Sequence, residues 1–157
     1  VQLVDLISGV NRKIEQVIEA GLKPRGVAIE QYRVLKALKT DNGIPMGDLA
    51  ARVFVDSPTL TKIIDKMVAS ADVYRGPDPN DRRRVLIFLS EKGQALFADL
   101  MVFGEEAQQN LIARVGDQRA EELEKTLSLL LGDGKAPKEA LNAFGRAEAC
   151  GAAVDLA

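Results

Sequence analysis

Three consecutive arginines, Arg82, Arg83 and Arg84, sit in the run VYRGPDPNDRRRVLIFL, at a turn between two strand-like stretches. Upstream, Ser57, Pro58, Thr59, Thr61, Lys62 and Lys66 lie in a segment with helical spacing. Enzymes built only on carboxylates or lysine remain possible, but no pair of such groups stands out. Guanidinium, ammonium and hydroxyl groups donate hydrogen bonds to phosphate oxygens and base edges. A nucleic-acid duplex asks for both parts: a helix for the major groove and a charged finger for the backbone or minor groove.

What is missing narrows the field further. The chain has no histidine and one cysteine, Cys150. Ser-His-Asp and Cys-His catalysis therefore have no base, and a cysteine-rich zinc site has no ligands. Asp5, Asp41 and Asp48 are available carboxylates, but no spacing pairs them on one surface. The expectation is a protein that is not an enzyme and that needs no cofactor and no metal. The net charge of −2 is unevenly spread. Residues 59–84 hold six basic and four acidic groups, whereas residues 103–157 hold six basic and ten acidic. Positive potential thus gathers near the arginine turn. With 157 residues the chain can form one domain with an appended helical arm. No apolar run approaches the roughly 18 residues that span a bilayer, and the opening residues lack a signal-peptide layout. A cytoplasmic protein with no membrane partner is expected.

The elements that must position these groups follow from periodicity. Leu3, Leu6, Ile7, Val10, Ile14, Val17 and Ile18 recur at three- and four-residue steps, predicting a helix that ends near Gly21. Gln31 to Leu38 resumes helical spacing with Tyr32, Leu35 and Leu38 inward, and Gly43-Ile44-Pro45 allows only a very short extended piece. Met46 to Val53 reads as a short helix with Leu49 and Val53 in its core. Ser57 then reads as the N-cap of the next helix, with Pro58 at its first position. That helix turns Leu60, Ile63, Ile64, Met67 and Val68 to one face and centres Lys62 on the other. Val73 to Arg75 and Arg84 to Leu89 read as a hairpin around residues 76–81. Ser90 caps a helix of roughly 25 residues, a rod of about 37 Å. Gly116-Asp117 interrupts it, and Leu123, Leu127, Leu130 and Leu131 mark another. The segment from Gly132 to Ala157 has weak periodicity.

A short helix, a turn, a polar-faced helix and a basic hairpin in this order form a winged helix–turn–helix. The run from Leu49 through Gly93 resembles the multiple-antibiotic-resistance regulator (MarR) family of bacterial transcription factors. The matching features are LAARVFVDSPTLTKIIDKMVAS, the Arg75-x-Pro77-x-Pro79-x-Asp81 approach to the wing, and Asp81-x-Arg83 followed by Val85-Leu86-x-x-Leu89-Ser90-x-x-Gly93. Gln31-Tyr32-x-Val34-Leu35 fits the family's second helix. The resemblance departs at Arg84, where Ser or Gly is frequent, at Ala71, where glycine is usual, and at Ala28, where a capping hydroxyl is common.

The resemblance implies a mainly α fold with a small β-hairpin wing. A DNA-binding region over 28–92 would be flanked by helical dimerisation regions over 1–27 and 93–157. It implies a homodimer on a pseudopalindromic double-stranded DNA operator, acting as a repressor relieved by a small aromatic or anionic effector. Ser57, Pro58, Thr59, Thr61, Lys62 and Lys66 would serve the recognition helix, with Lys62 the direct reader. Arg75, Asp81, Arg82, Arg83 and Arg84 would serve the wing, with Asp81 bracing Arg83 at the minor groove. Leu3, Leu6, Val10, Val17, Leu111, Leu123, Leu127, Leu130 and Leu131 would carry dimerisation, unless an intramolecular bundle buries them. Arg12, Arg33 and Lys36 are cations near the expected effector crevice, with solvation the simpler role for each. Cys150 reads as a tail residue. The competing reading is a winged-helix protein-interaction module, kept open by Asp65 standing beside Lys62 and Lys66.

Overall fold

The computed structural model describes residues 2–132, so Cys150 and the tail over 133–157 lie outside the described residues. Helix α1 (Leu3–Leu22) leads through one 3₁₀ turn (Lys23–Arg25) to α2 (Ile29–Thr40). Strand β1 (Ile44–Pro45), α3 (Met46–Val53) and α4 (Ser57–Ala69) follow. The hairpin β2 (Val73–Pro77) and β3 (Val85–Leu89) then gives way to α5 (Glu91–Val115) and α6 (Asp117–Leu131). The sheet is antiparallel with β3 central, Ile44 facing Ile87 and Val73 facing Leu89 across it. Mainly helical with a small wing, the fold matches the expectation.

The core gathers where α2, α3, α4 and the sheet meet. Leu35, Leu38, Leu49, Val53, Leu60, Ile64, Met67, Val73 and Ile87 are all buried there. Ile63 and Val68 are only partly buried against that core, which narrows the inward stripe of α4. Burying a side chain of this size contributes roughly 1.5–3 kcal/mol, so the α2–β3 portion closes its own interior within one chain.

Three local expectations are corrected. The cap of α4 is Asp56, not Ser57: its carboxylate accepts the Thr59 N–H at 2.7 Å. Ser57 and Pro58 thereby become the first and second helical residues. An aspartate reaches the third amide as well as serine does, and Asp56 stands where its backbone is already extended. Strand β2 runs on through Pro77, and Arg84 belongs to the loop rather than to β3. Pro77 is tolerated because β2 is an edge strand. At Ala28 the cap is half made, since the Gln31 side-chain oxygen accepts the Ala28 N–H at 3.0 Å.

The end of α4 shows how the Ala71 departure is absorbed. Ala71 takes the left-handed conformation itself, φ 61°, in place of glycine. The Asp72 N–H bonds to Met67 O at 2.9 Å and the Ala71 N–H to Val68 O at 3.0 Å, the Schellman pattern. Keeping a Cβ there costs about 1 kcal/mol. The buried Asp72 joins this end to α5. Its carboxylate accepts the Ser70 hydroxyl, and the Lys92 ammonium stands 3.5 Å from its other oxygen, which takes no hydrogen bond. Ser90 accepts the Gly93 N–H at 2.9 Å, so it caps α5 as the sequence predicts. A Cβ on Gly93 would fall 2.0 Å from the Asp72 carbonyl, so α5 can begin against β2 only with glycine there.

The arms behave differently. On α1 only Leu22 is buried, while Leu3, Leu6, Val10 and Val17 remain exposed. On α6 nothing is buried, and Leu123, Leu127, Leu130 and Leu131 are exposed. Leu111 of α5 is half-buried. Among the described residues, no intramolecular bundle buries these stripes.

Candidate nucleic-acid interface

Helix α4 presents Ser57, Pro58, Thr59, Thr61, Lys62, Asp65 and Lys66 to solvent. The Thr61 hydroxyl is turned back onto the Ser57 carbonyl at 3.0 Å, which leaves its oxygen lone pairs outward. The exposed arginines of the wing lie beyond this face on the loop between β2 and β3.

The wing loop is held by its own backbone and two aspartates. The Asp78 N–H bonds to Arg84 O at 3.3 Å and the Arg84 N–H to Asp81 O at 3.1 Å. Asp78 accepts the Asn80 N–H, and Asp81 accepts the Arg83 N–H, each at 2.9 Å. This corrects the expectation that Asp81 holds the Arg83 fork. The carboxylate shapes the turn beneath Arg83 by binding its amide, in the manner of an Asx turn, and no ion pair joins the two side chains among the described residues.

The four arginines predicted for the wing divide into two pairs. Arg75 is bonded to Asp65 of α4, and Arg84 stands 3.8 Å from Asp48 of α3. Arg82 and Arg83 make no ion pair among the described residues, nor do Lys62 and Lys66. The neighbouring acids are all engaged. Asp65 and Asp48 face arginines, while Asp81 and Asp56 accept backbone N–H groups. The Asp56 carboxyl is held below its usual range, first by the Thr59 backbone N–H, and Lys62 adds a smaller attraction. A mixed-sign sequence thus folds into a face whose unpaired charges are positive, and the doubt raised by Asp65 is answered by Arg75.

The other cations sit apart from this face. Arg33 donates to Glu15 at 2.8 Å across α1 and α2, and Arg12 stands 3.7 Å from Glu15 and 3.5 Å from Glu19. The Arg33 hydrogen bond is the first cause holding the Glu15 carboxyl below its usual range. Arg12 and Arg33 are therefore paired rather than simply solvated, whereas Lys36, the third cation expected near the crevice, is exposed and makes no ion pair among the described residues. A cleft of about 300 Å³ opens elsewhere, where the end of α4 meets the starts of α2 and α5. Arg25, Lys66 and Lys92 contribute its cations, and Leu35, Met67 and Leu96 its apolar wall. Nothing in the sequence pattern marked this cleft, because its cations come from three separate elements. Among the described residues no group of three or more His, Cys, Asp or Glu is arranged for a metal ion, and no helix is long and apolar enough to cross a membrane.

Comparison with known proteins adds to this geometry. The MarR family profile matches residues 27–85. The HTH-type transcriptional regulator TtmR of Methylorubrum extorquens is 41% identical over 66 residues, 42% of this chain but only 34% of TtmR. The HTH-type transcriptional regulator SarZ of Staphylococcus epidermidis is 32% identical over 117 residues, covering 68% of this chain and 78% of SarZ. A mutant MarR from E. coli, solved in complex with operator DNA, superposes with a TM-score of 0.74 at 29% identity, covering 83% of this chain and 94% of that one. The winged helix–turn–helix geometry and these matches agree: the chain belongs to the MarR family of transcriptional regulators.

Proposed function

We propose that the protein is a homodimeric, sequence-specific regulator that binds a pseudopalindromic operator and represses the promoter it overlaps. The observation that carries this reading is the charge sorting on the α4–wing face. Lys62, Lys66, Arg82 and Arg83 are unpaired among the described residues, while Asp48, Asp56, Asp65 and Asp81 are each spent within the fold. Such a face meets a polyanion. In the proposed complex Lys62 reads base edges with help from Ser57, Thr59 and Thr61. Arg83 enters the minor groove, whose negative potential attracts a guanidinium, and Arg82 meets phosphate. Arg75 and Arg84 act first as positioning residues, one fixing the wing to α4 and the other to α3.

Two copies are needed to read two half-sites. The exposed stripes of α1 and α6 support self-association, since apolar area of that kind rarely stays in water. Their regions, 1–27 and 93–157, then serve the dimer while 28–92 serves the DNA. The working compartment is the cytoplasm, where the operator is. The effector in this reading is a small anion with an apolar body, held in the cleft of Arg25, Lys66 and Lys92. Because Lys66 belongs to α4, filling the cleft biases how the recognition helix sits, which is the differential interaction a switch requires.

The test is a fluorescence-anisotropy titration against the upstream intergenic DNA, with random duplex as competitor. Log K should fall by about 0.9 per phosphate neutralised as log salt rises. Arg83→Ala should weaken binding by roughly 1–3 kcal/mol, about five- to 150-fold, with the thermal midpoint unchanged. Equal competition by random duplex would remove sequence specificity from the reading, and an Arg83→Ala protein that binds like the wild type would remove the wing assignment.

A further inference from the structure

We propose that Phe54, in the turn between α3 and α4, contacts the operator directly, its ring packing on the C5-methyl of a thymine at the outer edge of each half-site. The inference rests on the DNA-binding reading above and adds a residue to it that charge alone does not reveal. Phe54 occupies the left-handed region, φ 58° and ψ 40°, which a bulky side chain enters only under constraint. The turn itself demands this conformation, because the Val55 N–H closes on Ala50 O at 3.1 Å and the Phe54 N–H on Ala51 O at 3.3 Å. Glycine would satisfy that geometry without strain.

The fold gains little from the ring. Phe54 is 70% exposed, whereas Val53 is buried and Val55 packs partly against the core. The two valines anchor the turn, and the aromatic between them stands in solvent. Other large apolar groups exposed near the winged face have local explanations: Tyr74 stacks on Phe88 with ring centroids 5.3 Å apart, and Val85 opens β3 at the wing. Among the large exposed apolar residues described, Phe54 alone has a positive φ. Strained residues that serve no packing purpose cluster where ligands are met.

Its position identifies the ligand. Phe54 lies two residues before Asp56, the cap of α4, and the residues after it, Ser57, Pro58 and Thr59, are exposed. This is the end of a recognition helix that enters the major groove. The apolar feature there is the thymine methyl, and phenylalanine is one of the side chains that meets it. The hydroxyls and Lys62 of α4 supply the polar contacts, and the ring supplies the one kind they cannot make.

The experiment sets stability and binding against each other. A duplex selected from a random-sequence pool by the wild-type protein is the probe, together with the same duplex carrying deoxyuridine for thymidine. Phe54→Gly should raise the thermal midpoint by about 2–4 °C while weakening binding of the selected duplex at least about tenfold. Deoxyuridine should weaken the wild type and leave Phe54→Gly with little more to lose. The proposal is overturned if Phe54→Gly binds as tightly as the wild type, or if deoxyuridine weakens both proteins equally. Lys62→Ala separates the two levels. If it loses the duplex while Phe54→Gly keeps it, the DNA reading stands and the Phe54 contact falls. If the wild type selects no duplex, both fall together.

Discussion

The α2–β3 portion and the arms leave opposite kinds of surface unsatisfied. In the former, most apolar groups close on one another, Phe54 being the main exception, and the unpaired charge left in solvent is positive, on α4 and the wing loop. In α1 and α6 the charges pair or solvate, as in Lys125 with Glu121 at 2.7 Å, and what remains is leucine and valine. Unpaired cations are satisfied by a polyanion at a cost that rises with salt. Unpaired apolar stripes are satisfied by another apolar surface and are indifferent to salt. The contrast teaches that the two regions suit different kinds of partner, a polyanion for one and an apolar surface for the other, which in the proposed reading are operator DNA and a second copy.

The largest expected effect breaks the arm side of this comparison. Leu6→Glu together with Leu127→Glu should raise the dimer dissociation constant by at least about a thousandfold, because each charge must be desolvated to re-form the contact. Analytical ultracentrifugation should then show a folded monomer with unchanged near-UV circular dichroism. Wild-type association should barely respond to salt, while operator affinity falls steeply. A dimer that survives the double substitution would show that these stripes do not hold it.

A smaller effect separates the scaffold from the interface. Ala71→Gly removes a Cβ from a left-handed position at the end of α4 and should stabilise the protein by about 1 kcal/mol, read by urea denaturation. Operator affinity should stay within a factor of about two, well short of a tenfold step, since Ala71 lies at the opposite end of α4 from the cap. A large change in affinity would mean that the end of α4 is itself part of the contact.

The smallest effect concerns the cap. The Asp56 carboxyl is held below the usual carboxylate range, chiefly by the Thr59 backbone N–H. Because the folded value is depressed, the stabilisation is present above the unfolded value and is lost as the pH falls through the folded one. Far-UV circular dichroism should report loosening of helix only in that acid window, with near-neutral pH leaving it untouched. Asp56→Ala should remove this acid-dependent part of the stability. An unaltered acid profile in Asp56→Ala would mean that the cap contributes nothing to it.

Much of this molecule was legible in its residues because the relevant physics is local. The apolar period of α2 and α4 places their inward faces, and Gly116 ends α5 where the pattern breaks. Ser90 caps α5 within one turn of the chain. The wing motif from Arg75 to Gly93 is recognisable for the same reason: its spacing is set by hydrogen bonds over a few residues. At the start of α4 the sequence pattern points to Ser57 as the cap, and the backbone geometry places it one residue earlier, at Asp56. Pairings between distant elements were not legible. Arg75 with Asp65, Arg84 with Asp48 and Arg33 with Glu15 each join separate elements, and no periodicity says which of several cations will face a given carboxylate. The sequence determined the helices, the turn and the wing. Only the tertiary structure decided which charges are spent inside the fold and which remain for a partner, because pairing depends on how elements cross in space.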